Sequence, residues 1–265
     1  MKDIEKKIKA LIAVPTYNEE QHISRFLLQL EPWRKDVLVI DDCSNDNTVI
    51  LVKSAGFSCF HRNSNQGLSG FYHTAINHAG KSGYTHLIAI DGDGQHDPQY
   101  IPEFLATLKE FDLVSGNRFH DISGIPPSKI ASNMFARLLF KKYLNIELPD
   151  VACGFRAMKL SMPTEITEVS QFGIIYDMLI RNTLAGKQTG FVKIPAIYHP
   201  NDPLNTKISE ISGLISTIQR YHPSKELFLI MESVKNKADF RAKLQEFNFT
   251  AVFQAPDAYY FTTTQ

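Results

Sequence analysis

The chain has 265 residues and is 43% hydrophobic, which is enough for one large or two small domains with a substantial core. Its 28 basic and 28 acidic side chains cancel, so no net charge recruits nucleic acid or an anionic membrane, and any anionic ligand must be bound locally. The three cysteines match no zinc or disulfide framework, which is typical of a protein in a reducing compartment.

The N-terminus and the apolar runs predict where the protein works. The chain starts with MKDIEKKIKA, which is charged and lacks the apolar stretch of a secretory signal. No apolar run approaches the ~18 residues that a membrane span requires. We therefore expect a cytoplasmic protein, which would reach a lipid substrate as a peripheral protein on the cytosolic membrane face.

Short β-rich runs alternate with helical patterns in the first half of the chain. The runs predict strands at residues 10–16, 37–42, 57–62, 86–91 and 113–115. Apolar residues at helical spacing predict helices at residues 23–30, 47–55, 67–79 and 97–111, the last with Asp97 as N-cap and Pro98 in its first turn. Repeated β-α units predict an α/β fold with a mostly parallel sheet that helices cover on both faces.

The second half continues this pattern and then changes. We predict a helix beginning near Pro126, a short β segment at residues 152–158, a helix at 174–185 and a strand at 191–198. After Pro223, residues 226–233 are apolar, residues 239–247 helical and residues 250–264 aromatic and β-prone. We divide the chain into a main domain, residues 1–222, and a small C-terminal α/β appendage, residues 223–265. Docking to a membrane partner or a second subunit fits the appendage, as does simple packing on the sheet.

Polar clusters follow the first four predicted strands, and they read PTYNEE, DDCSNDNT, RNSNQG and DGDGQHD. Because the carboxyl ends of parallel strands meet at one edge of a sheet, we expect these clusters to lie along one rim. Asp42 could accept a hydrogen bond from a ribose or a base, or it could cap a helix at residues 44–49. Glu19 is equally ambiguous. Carboxylates crowded at one rim nevertheless favour a bound cation or hydrogen-bond donor.

The acidic segment DGDGQHDP predicts a metal site. Asp91, Asp93 and Gln95 alternate directly after a strand, so their oxygens point to one side, and the intervening glycines leave space for a ligand. Hard oxygen ligands suit Mg²⁺ or Mn²⁺, which would offset the charge on a departing nucleoside diphosphate. Taken alone, the segment fits a capped turn equally well, whereas the spacing of a calcium loop is absent.

Six motifs in this order resemble family-2 glycosyltransferases of the GT-A fold, most closely the dolichyl-phosphate or polyprenyl-phosphate mannose synthase branch. The motifs are VPTYNEE (14–20), VIDDCSNDNT (39–48), NQGLSG (65–70), DGDGQHDP (91–98), SGNRF (115–119) and CGFRAM (153–158). The resemblance implies a Rossmann-like sheet and an inverting, metal-dependent transfer of a hexose from a nucleotide-diphosphate sugar. For the branch, the expected donor is GDP-mannose and the expected acceptor is a polyprenyl or dolichyl phosphate.

The resemblance also assigns roles to residues. The nucleotide-sugar site comprises Pro15, Tyr17, Glu19, Asp42, Asp91 and Lys207. Asp91 and Asp93 resemble the family's catalytic D-x-D pair, with Gln95 as a third metal ligand. The acceptor phosphate is assigned to Arg118, counted as catalytic, and to Lys129 with Ser132. Lys207 is retained from a D-R-x-x-G-x-S-K segment, whose arginine is replaced by Asn201.

Asp177 in FGIIYDMLIR leaves a second function open. It could be a base that deprotonates a sugar hydroxyl, a partner of Arg156 or Arg181, or an acid on a helix surface. As a base, it would favour transfer from a UDP-sugar to a saccharide hydroxyl. A nucleotide-sugar-binding protein without turnover also fits, whereas a nucleotidyltransferase would need a glycine-rich, basic loop near the first strand, where the chain is acidic. A homo-oligomer or a membrane partner subunit is compatible with each reading.

Overall fold

The computed structural model describes residues 8–162, 172–198, 208–247, 249–255 and 258–263. A seven-stranded sheet forms its centre. The strands are Ala10–Thr16 (β1), Val37–Asp41 (β2), Ser58–His61 (β3), His86–Ala89 (β4), Leu113–Asn117 (β5), Arg156–Lys159 (β6) and Thr189–Lys193 (β7). Their order is β3-β2-β1-β4-β6-β5-β7, and β6 runs antiparallel to both of its neighbours. All other pairs are parallel, which confirms the predicted mostly parallel α/β fold.

Nine α-helices surround the sheet within the described ranges. They are Ile23–Gln29 (α1), Thr48–Ser54 (α2), Gly67–Lys81 (α3), Ile101–Thr107 (α4), Pro127–Leu139 (α5), Gly173–Leu184 (α6), Ile208–Tyr221 (α7), Lys225–Ser233 (α8) and Lys237–Glu246 (α9). No helix of these described residues is both long and apolar enough to cross a membrane.

Several elements differ from their predicted bounds; the β segment predicted at residues 152–158, for example, is the strand Arg156–Lys159. The segment predicted as one helix at residues 97–111 opens with a 3₁₀ turn, Pro98–Tyr100, and becomes α-helical only at Ile101. Pro102 explains this, because proline lacks the backbone N–H and is tolerated only in the first turn of an α-helix. Asp97 caps the turn as predicted, since its carboxylate accepts from the backbone N of Gln99 at 2.9 Å. The last predicted strand, residues 191–198, lies earlier and spans Thr189–Lys193.

The sheet separates two hydrophobic clusters. Side chains alternate along each strand, so that Leu11 faces one cluster and Ile12 the other. Helices α1, α2 and α4 pack on one face, while α3 and α5 to α9 pack on the other. Helices therefore cover both faces, as the β-α alternation predicts.

The C-terminal helices share the core of the main sheet. Leu227 and Ile230 of α8 and Phe240 of α9 are fully buried in the cluster that also contains Leu11 and Leu87. The strands Phe249–Ala255 (β8) and Ala258–Thr263 (β9) form a separate antiparallel hairpin, and β9 lies against α5. The division after residue 222 stays a prediction, and helices on both sides of it bury side chains in one core.

Candidate active site

A cavity of about 520 Å³ lies at the carboxyl ends of β1, β2, β4 and β5. It brings together the predicted residues of the nucleotide, metal and acceptor sites that the structure describes. These are Pro15, Tyr17, Glu19, Asp42, Asp91, Asp93, Gln95, Arg118, Lys129 and Ser132. Lys207 and Asn201 lie outside the described residues. Most of these residues lie at or just after the carboxyl ends of strands of one sheet, which brings together segments that are far apart in sequence, and α5 adds Lys129 and Ser132.

Hydrogen bonds join the loops that follow β1 and β2. Asn18, with a φ of 57°, donates from its backbone N to the Ser44 hydroxyl at 2.8 Å, and the backbone N of Glu19 donates to Thr48 Oγ1 at 2.8 Å. Asparagine tolerates this left-handed conformation better than most residues. These bonds hold the loop after β1 so that Tyr17, which is 49% exposed, lies at the cavity wall.

Asp42 organises the start of α3. Its carboxylate accepts from Arg62 Nη1 at 2.8 Å and from the backbone N of Gln66 and of Gly67 at 2.9 and 2.8 Å. Asp42 does not cap a helix at residues 44–49, because α2 begins only at Thr48, whose backbone N donates to Asp46 at 2.9 Å. Asp42 therefore fixes the NQGLSG motif beside the cavity while its own side chain lines the wall.

Asp91 lies where β4 ends and exposes 34% of its side chain. Burial raises the pKa of its carboxyl, and the positive charges of Arg118 and Arg156 only partly oppose this. His96 Nδ1 lies 3.3 Å from Asp91 Oδ2, and burial lowers the pKa of His96 to about 4. The imidazole is therefore neutral near pH 7 and adds no positive charge beside Asp91.

The oxygen donors of DGDGQHDP fit a divalent metal ion. Asp93 Oδ1 accepts from the backbone N of Gln95 at 2.9 Å, which closes the turn after Asp91. The described residues contain no cluster of three or more His, Cys, Asp or Glu side chains arranged as metal ligands. Two carboxylates and one amide are a donor set that suits Mg²⁺ or Mn²⁺, because these ions keep coordination positions for water and phosphate. The raised pKa of Asp91 fits the same reading, since a cation would stabilise its ionised form.

An ion pair with the buried Asp150 holds Arg118 in the cavity wall. Arg118 Nε and Nη2 donate to Asp150 Oδ2 and Oδ1 at 2.8 and 3.0 Å, and Asp150 is fully buried. Burial alone would raise the pKa of Asp150, but the charge of Arg118 outweighs it and holds that pKa below its usual value. The bidentate pair fixes the plane of the guanidinium. Asp150 was missed in the sequence because it lies in a loop without periodic pattern.

One wall of the cavity is apolar. It is formed by side chains of three helices, namely Phe135 and Ala136 of α5, Ile175 of α6, and Ile211 and Leu214 of α7. The sequence predicted Lys129 and Ser132 of α5 as site residues, but it did not show that the next turns of α5 line the same cavity. Glu210 of α7, also missed, lies in the lining as well.

Comparison with known proteins decides the family. The family model described as Glycosyl transferase family 2 matches residues 11–166, which is more than half of the chain. The chain belongs to glycosyltransferase family 2. It is 26% identical over 225 residues to the undecaprenyl-phosphate mannosyltransferase of Micrococcus luteus, a match that covers 76% of this chain and 88% of that protein.

The predicted branch is confirmed by a second named relative. This glycosyltransferase is 25% identical over 168 residues to the polyprenol monophosphomannose synthase of Mycolicibacterium smegmatis, covering 57% of this chain and 62% of that one. Among solved structures, the glucosyl-3-phosphoglycerate synthase of Mycobacterium tuberculosis in complex with Mn²⁺, UDP and phosphoglyceric acid has a TM-score of 0.64. That match is 15% identical, covers 97% of this chain and 87% of the other, and establishes the shared fold.

Asp177 is not brought to the cavity of the glycosyltransferase. Its side chain is 2% exposed, and its carboxylate contacts Arg181 Nε at 2.6 Å, Tyr221 Oη at 2.7 Å and Arg220 Nη1 at 3.5 Å. Of the two partners that the sequence suggested, Arg181 is in contact, whereas Arg156 donates to backbone carbonyls. The position of Asp177 therefore fits a structural role, in which its carboxylate links α6 to α7.

Proposed function

We propose that this glycosyltransferase moves a hexose from a nucleotide-diphosphate sugar to a polyprenyl phosphate, with GDP-mannose as donor and inversion at the anomeric carbon. One observation carries the proposal: the acidic DGDGQHDP turn and Arg118, which is paired with Asp150, line one cavity that also has an apolar wall. The names of the two relatives, one for undecaprenyl phosphate and one for polyprenol, support the same acceptor class. The enzyme would act as a peripheral protein on the cytosolic membrane face.

The donor would bind across the carboxyl ends of β1, β2 and β4. Pro15, Tyr17, Glu19 and Asp42 would contact the nucleoside, and Lys207 stays a proposed contact to the diphosphate. Asp91, Asp93 and Gln95 would hold Mg²⁺ or Mn²⁺. The metal ion, when bound, supplies positive charge that stabilises the leaving nucleoside diphosphate.

The acceptor would enter beside Arg118. Nε and Nη2 of Arg118 bond to Asp150, so the guanidinium is already oriented before a phosphate binds. Lys129 and Ser132 lie on the first turns of α5 in the same lining and would add a cation and a hydroxyl donor. Because a lipid phosphate is already anionic, it attacks without a strong general base. The apolar wall would hold the first isoprene units.

Turnover tests the proposed function directly. Purified protein with Mn²⁺ should release GDP from GDP-mannose only when polyprenyl phosphate is added, because the acceptor phosphate supplies the nucleophile. Release that a saccharide hydroxyl supports and polyprenyl phosphate does not would contradict the proposal. Nucleotide binding without any transfer would indicate the non-catalytic alternative.

The donor base is identified by a thermal-shift panel of GDP, UDP, dTDP and CDP with and without Mn²⁺. A ligand at ~100 times its Kd stabilises the folded state by about 2.7 kcal/mol, which is several degrees in Tm for a domain of this size. We expect the largest shift with GDP and Mn²⁺ together, and a loss of most of it when EDTA removes the metal.

The alternative function, with a hydroxyl acceptor and Asp177 as base, is tested by Asp177→Asn. We expect kcat to change little, because the carboxylate lies in the α6–α7 ion-pair cluster. Stability should fall by about 1–3 kcal/mol, since Asn keeps the shape but loses the charge that binds Arg181. Steady-state kinetics and a thermal melt measure both. A fall in kcat of about 10²–10⁴-fold would instead support a general base.

A further inference from the structure

The CGFRAM motif has a glycine whose missing side chain matters to Asp91. A Cβ built on Gly154 would lie 2.1 Å from Asp91 Oδ2 and 2.8 Å from Asp91 Cγ. Real Cβ atoms do not approach other atoms this closely, so either the carboxylate or the backbone would have to move. The Asp91 carboxylate thus lies against the bare backbone of Gly154.

Arg156 holds the backbone around Gly154 in place. This fully buried side chain donates from Nε to the Cys153 carbonyl at 2.8 Å and from Nη2 to the Val151 carbonyl at 3.1 Å. Its Nη1 donates to the carbonyl of Ile175 on α6. Arg156 therefore joins the loop before β6 to a helix, so that the loop resists displacement by a side chain at position 154.

His96 bounds Asp91 on another side. Its ring is buried, with Nδ1 3.3 Å from Asp91 Oδ2, and it packs on Phe155 at a centroid distance of 5.7 Å. Phe155 in turn stacks on Phe104, with ring centroids 4.0 Å apart and an interplanar angle of 12°. The carboxylate of Asp91 therefore lies between the packed ring of His96 and the backbone of Gly154, which Arg156 holds in place.

We propose that Gly154 is a positioning residue, whose lack of a side chain lets the Asp91 carboxylate adopt the orientation that serves the metal ion and the donor diphosphate. The inference rests on the proposed function for what Asp91 does. The contact itself exists without metal or substrate, and it is tested separately.

A double-mutant cycle with Gly154→Ala and Asp91→Ala tests the contact. Gly154→Ala should lower the Tm of the intact protein by about 2–4 °C, and most of that loss should disappear in the Asp91→Ala background, where the opposing carboxylate is gone. If the Gly154→Ala single variant does not fold, folding of the double variant would equally show that the Asp91 carboxylate causes the loss of stability. Gly80→Ala is the matched control, because a Cβ on Gly80 meets no atom within 4 Å and should leave Tm at least as high.

Binding of Mn²⁺, followed by electron paramagnetic resonance with GDP present, tests the consequence. We expect Gly154→Ala to weaken Mn²⁺ binding by about tenfold or more, and Gly80→Ala to leave it unchanged. Equal losses of Tm in both backgrounds, or unchanged Tm and Mn²⁺ affinity, would overturn the positioning role. If the unaltered protein binds no Mn²⁺, the proposed metal function fails, and the cycle still decides whether Gly154 positions Asp91.

Discussion

Asp91→Asn should lower kcat by about 10³-fold, because it removes the carboxylate that would hold the metal ion against the departing diphosphate. The fold should survive, since Asn has the same shape between His96 and Gly154. Metal-free stability should be unchanged or higher at neutral pH. Burial raises the pKa of Asp91, so its ionised form destabilises the fold as the pH rises above the unfolded pKa, and Asn removes that charge.

Asp97→Asn is the matched control for Asp91→Asn. Asp97 lies in the same acidic segment, is partly exposed and caps the turn at Pro98–Tyr100, a role that Asn also fills. The kcat of the Asp97→Asn variant should match that of the unaltered protein. Kinetics with Mn²⁺ and a metal-free thermal melt compare the variants, and an Asp91→Asn enzyme that keeps a tenth or more of its activity would remove Asp91 from the proposed metal site.

Arg118→Met should have the second largest effect, on both acceptor use and stability. It removes the guanidinium that would bind the acceptor phosphate, so kcat/KM for polyprenyl phosphate should fall by about 10²-fold or more. It also leaves Asp150 as a buried charge without its partner, which costs about 3–5 kcal/mol of folding stability. That deficit should shrink as the pH is lowered from about 7 to about 5, because the buried carboxyl without Arg118 has a raised pKa and takes up a proton.

The double variant Arg118→Met with Asp150→Asn separates these two effects. Removing the charge of Asp150 should recover most of the lost stability without restoring acceptor use. Thermal melts and acceptor titrations at fixed donor concentration measure them independently. If the stable double variant regains normal kcat/KM for polyprenyl phosphate, Arg118 does not bind the acceptor.

Individual elements show what periodicity predicts well. β1 has the predicted bounds, residues 10–16, because a run of apolar residues between polar segments is visible in the chain itself. The predicted helix at residues 97–111 shows the limit, since Pro102 is tolerated only in the first turn and the α-helix therefore begins at Ile101. The rim residues were found because they directly follow strands, and the carboxyl ends of parallel strands share one edge.

Other site features depend on which helix surface faces inward. Helical spacing in FGIIYDMLIR did not show that Asp177 lies between α6 and α7, in contact with Arg181 and Tyr221. The apolar wall is formed jointly by α5, α6 and α7, so no single segment predicts it. The chain itself does not show what Gly154 contacts, because the atom that excludes a side chain there belongs to Asp91, in the distant loop after β4.

The amino-acid sequence by itself determined the β-α alternation, the parallel sheet and the order of polar clusters along its rim, because these follow from local hydrophobic periods and strand direction. It also contained the six motifs that led to family 2. Only the tertiary structure decided that Asp150 orients Arg118, that Gly154 abuts Asp91 and that Asp177 lies away from the cavity. Each of these is a contact between segments distant in the chain, and packing and burial in the folded protein, rather than local pattern, determine which distant groups meet.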